Sequence, residues 1–135
     1  MQNFDIYNPV HLHFGKDVTN EIGDICSGYG RKALLVYGKG SVVKHGYLDI
    51  VKNQLHKSGI DTVEYSGIKS NPVTNNVDEA TQLGLKHNID VIVAIGGGSV
   101  IDSSKILSLC IPGNFKSWDV MKGRVEPKES VPLLC

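Results

Sequence analysis

The sequence predicts an α/β fold in which helices cover both faces of an open, doubly wound parallel sheet. Two apolar runs, at residues 33–37 and 91–95, have the composition of strands that are buried on both faces. Each run ends in a glycine-rich loop, and apolar residues at helical spacing follow each loop. Because strands that alternate with amphipathic helices usually pair in parallel, these observations together indicate a parallel sheet.

The first half of the chain supplies further elements around the first of these strands. Apolar residues alternate with polar ones over residues 10–14, which predicts an early edge strand that ends at Gly15. Helical spacing predicts helices over residues 18–26 and 47–55. An extended segment resumes at residues 62–65, so that strand, helix and strand follow one another.

The second half repeats this order around the second strand. A helix is predicted through residues 77–84, with Thr74 or Asn75 as its N-terminal cap. Residues 112–130 are polar, contain Pro and Gly, and are predicted to form a long loop with one turn. The chain ends on the apolar residues 131–135, which are typical of a buried strand. We therefore expect the native protein to continue beyond them.

Length and composition limit the class of protein and its partners. The chain has 135 residues, of which 41% are apolar, so we expect one core and a single domain over residues 1–135. The 14 basic residues balance the 14 acidic ones, and no stretch combines Lys or Arg with aromatic residues. A nucleic-acid partner and an anionic membrane surface are therefore not expected.

The N-terminus and the cysteines bear on the cellular compartment. The first residues lack the basic start and the apolar block of a signal peptide, and no apolar run approaches the ~20 residues that span a bilayer. Cys26, Cys110 and Cys135 lie far apart in apolar surroundings, which is typical of reduced core thiols. These features predict a cytoplasmic protein.

A glycine-rich loop joins the second strand to the helix that follows it. Gly96, Gly97, Gly98 and Ser99 lie where free N–H groups and the positive end of a helix dipole meet. Glycine lets a phosphate approach the backbone closely, and Ser99 can cap the helix and donate its hydroxyl. We expect this loop to bind a phosphate, and the alternative is a plain tight turn.

The loop after the first strand bears on the choice of cofactor. Enzymes that bind the ribose 2′-hydroxyl of NAD usually place a carboxylate at the end of a strand, where this chain has Gly38. Lys39 offers a cation, Ser41 a hydroxyl and Gly40 a backbone N–H group to a 2′-phosphate. This pattern favours NADP(H) over NAD(H), the alternative being a turn in which Lys39 is only solvated.

Two common nucleotide fingerprints are incomplete or absent. Residues 38–40 lack the third glycine of GxGxxG, and the pattern GxxxxGK[ST] does not occur. A P-loop NTPase and a Rossmann dehydrogenase in the strict sense are therefore not expected.

Three motifs carry a resemblance to a known family. Residues 96–102 are GGGSVID, which Lys105 extends to GGGSxxDxxK, while residues 71–74 are NPVT and residues 37–41 are YGKGS. In this order the chain resembles the iron-type (group III) alcohol dehydrogenases, in the branch of the NADPH-dependent butanol dehydrogenases. The resemblance covers essentially the whole chain, and the related glycerol dehydrogenases and dehydroquinate synthases fit less well.

The resemblance implies a Rossmann-like nucleotide domain, cut off before the all-helical, metal-binding domain of the family. It further implies hydride transfer between NADP(H) and a small alcohol or aldehyde, and a homodimer. The metal, Fe²⁺ or Zn²⁺, would be held by one Asp and three His of the second domain, so no metal ligand is expected in this chain. The residues expected to bind the cofactor are Gly38, Lys39, Gly40, Ser41, Asn71, Gly96, Gly97, Gly98, Ser99 and Asp102.

Asp102 and the histidines each have two interpretations. The resemblance places Asp102 near the nicotinamide and the substrate, as the candidate catalytic residue, whereas its position also suits an acid that stabilises the helix dipole and pairs with Lys105. His11 and His13 share a face of the predicted edge strand and could bind adventitious metal, although solvent-facing positions are favoured.

A second functional hypothesis is a non-catalytic module, complete as it stands, that binds a dinucleotide or a phosphorylated metabolite. The apolar end at residues 131–135 argues against it. A complete module would melt cooperatively and remain monomeric, whereas a severed part would be marginal or would associate.

Overall fold

The computed structural model describes residues 5–38, 40–71 and 73–135, without the side chain of Ser41. A four-stranded parallel sheet in the order β2-β1-β3-β4 forms its centre. The strands are β1 (Lys32–Gly38), β2 (Asp61–Ile68), β3 (Val91–Ile95) and β4 (Leu133–Leu134). The helices are α1 (Ile22–Ser27), α2 (Ser41–Lys44), α3 (Tyr47–Lys57), α4 (Thr74–His87), α5 (Gly98–Gly113) and α6 (Ser117–Met121), and a 3₁₀ turn at Val18–Glu21 precedes α1.

Alternation along the central strands divides the core between the two faces of the sheet. Leu34 and Val36 of β1 point to one face, where they pack with residues of α4 and α5. Ala33, Leu35 and Tyr37 point to the other face, where they pack with residues of α1, α2 and α3. Helices on both faces explain why the central strands are continuous apolar runs, and they confirm the doubly wound fold that the sequence predicts.

The strand order reverses between β1 and β3. From β1 the chain crosses to β2 on one side, whereas from β3 it crosses to β4 on the other side. The helices that follow β1 and β3 therefore diverge, and a crevice opens at the carboxyl ends of these two strands. In open α/β sheets, ligands bind at such a switch point.

The predicted edge strand at residues 10–14 is wrong. Residues 5–14 have no regular secondary structure, and Val10, Leu12 and Phe14 are 73%, 78% and 93% exposed. Alternation makes a segment compatible with a strand, but a strand also needs a neighbour for its hydrogen bonds, and no strand of the described residues pairs with this segment.

Two predicted helix caps are also wrong. Helix α4 is preceded by Val73 as its N-cap, so Thr74 is already helical. Gly97 is the N-cap of α5, and Ser99 lies within the helix. Neither helix has a side-chain cap, and the hydroxyl of Ser99 instead donates a hydrogen bond to the carbonyl oxygen of Ser70 at 2.6 Å.

The predicted loop at residues 112–130 contains more helix than expected. Helix α5 continues through Pro112, which has no N–H group to donate to the carbonyl of Ser108. The N–H of Val131 donates to that carbonyl instead, at 2.9 Å. The proline is therefore tolerated, and the carbonyl that it leaves free accepts the hydrogen bond that holds the segment before β4 against α5.

The cysteine prediction holds for two of the three residues. Cys26 and Cys110 are buried, and burial raises the pKa of each thiol to about 11. Cys135 follows the last residue of β4 and is exposed, so it is not a core thiol. Within the described ranges, no helix is long and apolar enough to cross a membrane.

Candidate functional site

Two kinds of glycine occur in the loop between β3 and α5. Gly96 has φ +156°, and a Cβ atom there would lie 2.8 Å from Cγ2 of Val100, so the fold itself requires glycine. At Gly97 and Gly98 a Cβ atom would meet no atom of the described residues within 4 Å. Glycine at these two positions keeps a space open above the backbone, and a bound group could occupy that space.

The start of α5 provides donors for an anion at this space. Val100 and Ile101 donate their N–H groups to the carbonyl of Gly97, at 3.0 and 3.1 Å. The N–H groups of Gly98 and Ser99 lie before these two donors in the chain, and the helix contains no carbonyl that could accept their hydrogen bonds. Helix α5 has 16 residues, and the positive end of its dipole lies at the same position. This arrangement suits a phosphate group.

The hydroxyl of Ser99 connects two loops. By donating to Ser70, it ties the loop that follows β2 to the glycine loop that follows β3. The first loop residues after β2 therefore lie beside the start of α5.

The residues around this point form a cleft of about 270 Å³ at the carboxyl ends of β1 and β3, which we call the glycine cleft. It is lined by Gly38, Gly40, Val42, Ile68, Lys69, Ser70, Gly96, Gly97, Gly98, Ser99 and Val100. No carboxylate is among these residues, and Lys69 is the charged one.

The glycine cleft brings together the predicted loop residues that the structure describes: Gly38 and Gly40 from one loop, and Gly96, Gly97, Gly98 and Ser99 from the other. Asn71 is exposed and does not line the cleft. Lys39 and the side chain of Ser41 lie outside the described residues.

Sequence reasoning missed the end of β2 and the loop after it, which supply Ile68, Lys69 and Ser70 to the glycine cleft. A signal was present, because the carboxyl ends of neighbouring parallel strands meet at one edge of a sheet. The three residues lie at the end of the extended segment that the sequence shows, but its strand was predicted to end at residue 65, before they are reached.

Gly38 is constrained by β2 as well as by the cleft. It pairs with Ile68 after an irregularity in the register of β1 and β2. A Cβ atom at Gly38 would lie 3.2 Å from the carbonyl oxygen of Ile68, which is closer than ordinary contact. Any larger residue here must displace the end of β2 by a few tenths of an ångström.

A polar network lies directly before Gly38. The hydroxyl of Tyr37 donates to Oε2 of Glu64 at 2.7 Å, and the ammonium of Lys52 donates to Oε1. Burial, with help from Glu64, raises the pKa of Tyr37 to about 12. The hydrogen bonds from Lys52 and Tyr37 lower the pKa of Glu64. The network joins α3 to β1 and β2, and so fixes the strand end that carries Gly38.

Asp102 lies in a different cavity. It lines a groove of about 420 Å³ between α4, α5 and α6, which we call the apolar groove. The groove is lined by Val73, Thr74, Val77, Asp102, Ser103, Ile106, Ser117, Trp118 and Met121. The carboxylate of Asp102 is 72% exposed and 3.5 Å from Nζ of Lys105, the ion pair that the spacing predicts. Both interpretations of Asp102 therefore stay open.

The N-terminal histidines face solvent, as predicted. His11 and His13 are exposed, and their ring centroids are 4.1 Å apart, although the strand on which they were to share a face is not formed. Within the described part of the chain, no three residues of the types His, Cys, Asp and Glu are grouped so that they could hold a metal ion.

Comparison with known proteins identifies the family. The sequence profile of the family described as iron-containing alcohol dehydrogenase matches residues 9–135. The chain belongs to this family. It is 36% identical to the probable NADH-dependent butanol dehydrogenase 1 of Bacillus subtilis, over 98% of the chain and 34% of that relative. It is 32% identical to the NADPH-dependent aldehyde reductase YqhD of Escherichia coli, over 100% of the chain and 35% of the relative.

A solved structure shows the same fold. The crystal structure of NADH-dependent butanol dehydrogenase A from Thermotoga maritima superposes with a TM-score of 0.91 and 36% identity, over 98% of this chain and 34% of that one. The family and the fold class predicted from sequence are therefore confirmed. The chain spans about a third of the length of these relatives. Their names divide between NADH and NADPH, so they leave the cofactor preference open.

Proposed function

We propose that this chain is the dinucleotide-binding domain, over residues 1–135, of an NADP(H)-dependent, metal-dependent alcohol dehydrogenase. The whole enzyme would interconvert small aldehydes and primary alcohols by hydride transfer. One observation carries the proposal: the glycine cleft lies at the strand switch point, and Gly97 and Gly98 leave its floor open beside the start of α5.

In this proposal the cleft binds and orients the cofactor. The pyrophosphate accepts hydrogen bonds from the N–H groups of Gly98 and Ser99, and the dipole of α5 stabilises its charge. The nicotinamide supplies the hydride-transfer chemistry when the cofactor is bound. Asp102, two residues beyond Val100, would lie toward the nicotinamide and the substrate, and Asn71 would flank the cofactor from the loop after β2.

The metal of the proposed enzyme is expected in a second domain, as the family resemblance implies. The described residues offer no group of three ligands. Residues of that domain would hold Fe²⁺ or Zn²⁺, and none of the steps assigned to this chain depends on the metal.

The preference for NADP(H) rests on the charge of the cleft. The described lining has a lysine and no carboxylate, and Gly38 occupies the strand end where an acid would repel a 2′-phosphate. We also propose a cytoplasmic location, as the sequence pattern predicts, and a homodimer, as the family resemblance implies. Sedimentation equilibrium of the whole enzyme tests the oligomeric state.

Calorimetric titration of the chain with NADPH and NADH tests the proposal, with Gly38→Asp and Gly38→Ala as a matched pair. Both substitutions place a Cβ atom against the carbonyl of Ile68, but only Gly38→Asp adds a negative charge. We expect wild type to bind NADPH more tightly than NADH, and Gly38→Asp to weaken NADPH binding by about tenfold more than Gly38→Ala does.

The assignment of the cleft and the cofactor preference are contradicted by different results. A folded wild-type chain that binds neither dinucleotide contradicts the assignment of the cleft. Tighter binding of NADH than of NADPH leaves the cleft assigned but contradicts the cofactor preference, as does an equal effect of the two substitutions on NADPH binding.

A further inference from the structure

Lys69 is the charged residue among the described residues that line the glycine cleft. It follows Ile68, which pairs with Gly38, and it precedes Ser70, which accepts the hydrogen bond from Ser99. The segment that carries Lys69 therefore touches both glycine loops, and its position is fixed at both ends.

The ammonium of Lys69 is available to a ligand. The residue is exposed, and no carboxylate of the described residues lies within 4.0 Å of its nitrogen. Since the described lining of the cleft contains no acid, an anion that enters meets this positive charge without a competing negative one.

The two ends of the cleft differ in what they offer to a phosphate. At the start of α5, backbone N–H groups and the helix dipole already suit a pyrophosphate. At the other end, Gly38 contributes backbone only, and Lys69, one residue beyond the pairing partner of Gly38, is the cation that the described lining residues place there. An ammonium at this position can donate charge-assisted hydrogen bonds to a phosphate.

We propose that Lys69 binds the 2′-phosphate on the adenosine ribose of NADPH and so determines the cofactor preference of this chain. The inference rests on the proposed function, because it requires a dinucleotide in the glycine cleft. It assigns the discrimination to a residue after β2, whereas the sequence pattern pointed to the loop after β1.

The test compares Lys69→Gln with Lys86→Gln by calorimetric titration against NADPH and NADH. Lys86 lies in the last turn of α4, toward the amino ends of the strands and hence at the opposite edge of the sheet. The two variants lose the same charge. We expect Lys69→Gln to bind NADPH about tenfold more weakly at low ionic strength and NADH within about twofold of wild type, with Lys86→Gln unchanged.

A second variant and a second pair of probes sharpen the test. Lys69→Glu should weaken NADPH binding further than Lys69→Gln, since it places a negative charge beside the phosphate. The fragment 2′,5′-ADP should lose affinity in Lys69→Gln as NADPH does, whereas 5′-ADP, which lacks the 2′-phosphate, should not.

The outcomes separate this inference from the proposed function. If Lys69→Gln binds NADPH as wild type does, the inference is wrong and the proposed function stands. An equal loss for NADPH and NADH would mean that Lys69 contacts the pyrophosphate, which also overturns the inference. A folded wild-type chain that binds neither dinucleotide would contradict both the inference and the proposed function.

Discussion

The glycine cleft and the apolar groove both adjoin the first turns of α5, but they are built in different ways. The cleft is lined mostly by glycine and serine residues at the ends of β1, β2 and β3, with Lys69 among them. The groove is formed by side chains of α4, α5 and α6, with Val73, Trp118 and Met121 exposed by 45%, 47% and 59%. One helix thus presents its polar N-terminus to the cleft and a side face to the groove.

This difference separates the features of a site that depend on the backbone from those that depend on side chains. At the start of α5, an anion would be bound by N–H groups and a dipole that any sequence supplies at that position, provided that the side chains stay small. The groove depends on the identity of its side chains. Asp102, which the sequence pattern joins to the glycine loop, belongs to the groove in the structure.

The largest expected effect comes from filling the floor of the cleft. Gly97→Val should weaken NADPH binding by about 100-fold, or about 2.8 kcal/mol, because the side chain occupies the space above the backbone. Its backbone angles, φ −91° and ψ −166°, suit a β-branched residue, and no atom in the described part of the chain lies within 4 Å of the new Cβ. The melting temperature should therefore stay near that of wild type. Titration calorimetry and thermal unfolding measure the two quantities.

Gly96→Ala is the matched substitution one residue earlier. Here φ is +156° and the new Cβ meets Val100 at 2.8 Å, so we expect a loss of about 1–3 kcal/mol in the free energy of unfolding. If Gly97→Val destabilised the fold as much as Gly96→Ala, the distinction between a glycine kept for the fold and one kept for a ligand would be wrong.

A polar-to-apolar substitution in the apolar groove should raise the free energy of unfolding, whereas Gly96→Ala should lower it. Ser103 is 3% exposed, and its hydroxyl has no hydrogen-bond partner among the described residues. Ser103→Ala should leave NADPH binding unchanged and raise the free energy of unfolding by up to about 1 kcal/mol, since a buried unpaired hydroxyl is removed. Urea unfolding measures the change. A loss of stability would show that the hydroxyl makes a hydrogen bond in solution.

The smallest expected effect concerns the network that supports Gly38. Because Lys52 and Tyr37 lower the pKa of Glu64 in the fold, its contribution to stability is present above the unfolded pKa, near 4.5, and is lost as pH falls through the folded value. Glu64 is 33% exposed, so solvent screening limits the contribution to less than about 1 kcal/mol.

Glu64→Gln removes this titration. Wild type should be more stable than Glu64→Gln at pH 7, and the difference should vanish as the pH falls well below 4.5. Urea unfolding at several pH values measures it, with Glu79→Gln as a control on the neighbouring helix. A difference that persists at low pH would mean that the network acts through packing and not through charge.

The sequence was sufficient for the features whose determinants are local. The apolar runs identified β1 and β3, and their glycine loops marked the edge of the sheet where the cleft lies. The prediction missed Lys69 because its place in the cleft depends on the pairing of Ile68 with Gly38, a contact between distant residues.

Other features needed the three-dimensional structure for the same reason. The helix through Pro112 depends on the N–H of Val131, 19 residues later, which no local pattern shows. The false strand at residues 10–14 illustrates the converse, because a correct alternation is not sufficient where no neighbouring strand completes the hydrogen bonds.

The most direct test of the account is to map amide chemical-shift changes on the ¹⁵N-labelled chain during titration with NADPH. We predict that the large changes concentrate on the amides of Gly38, Lys69, Gly97, Gly98 and Ser99, and that Trp118 and Met121 in the apolar groove change little. Changes confined to the groove, or the absence of changes in a folded chain, would contradict the assignment of the glycine cleft as the dinucleotide site.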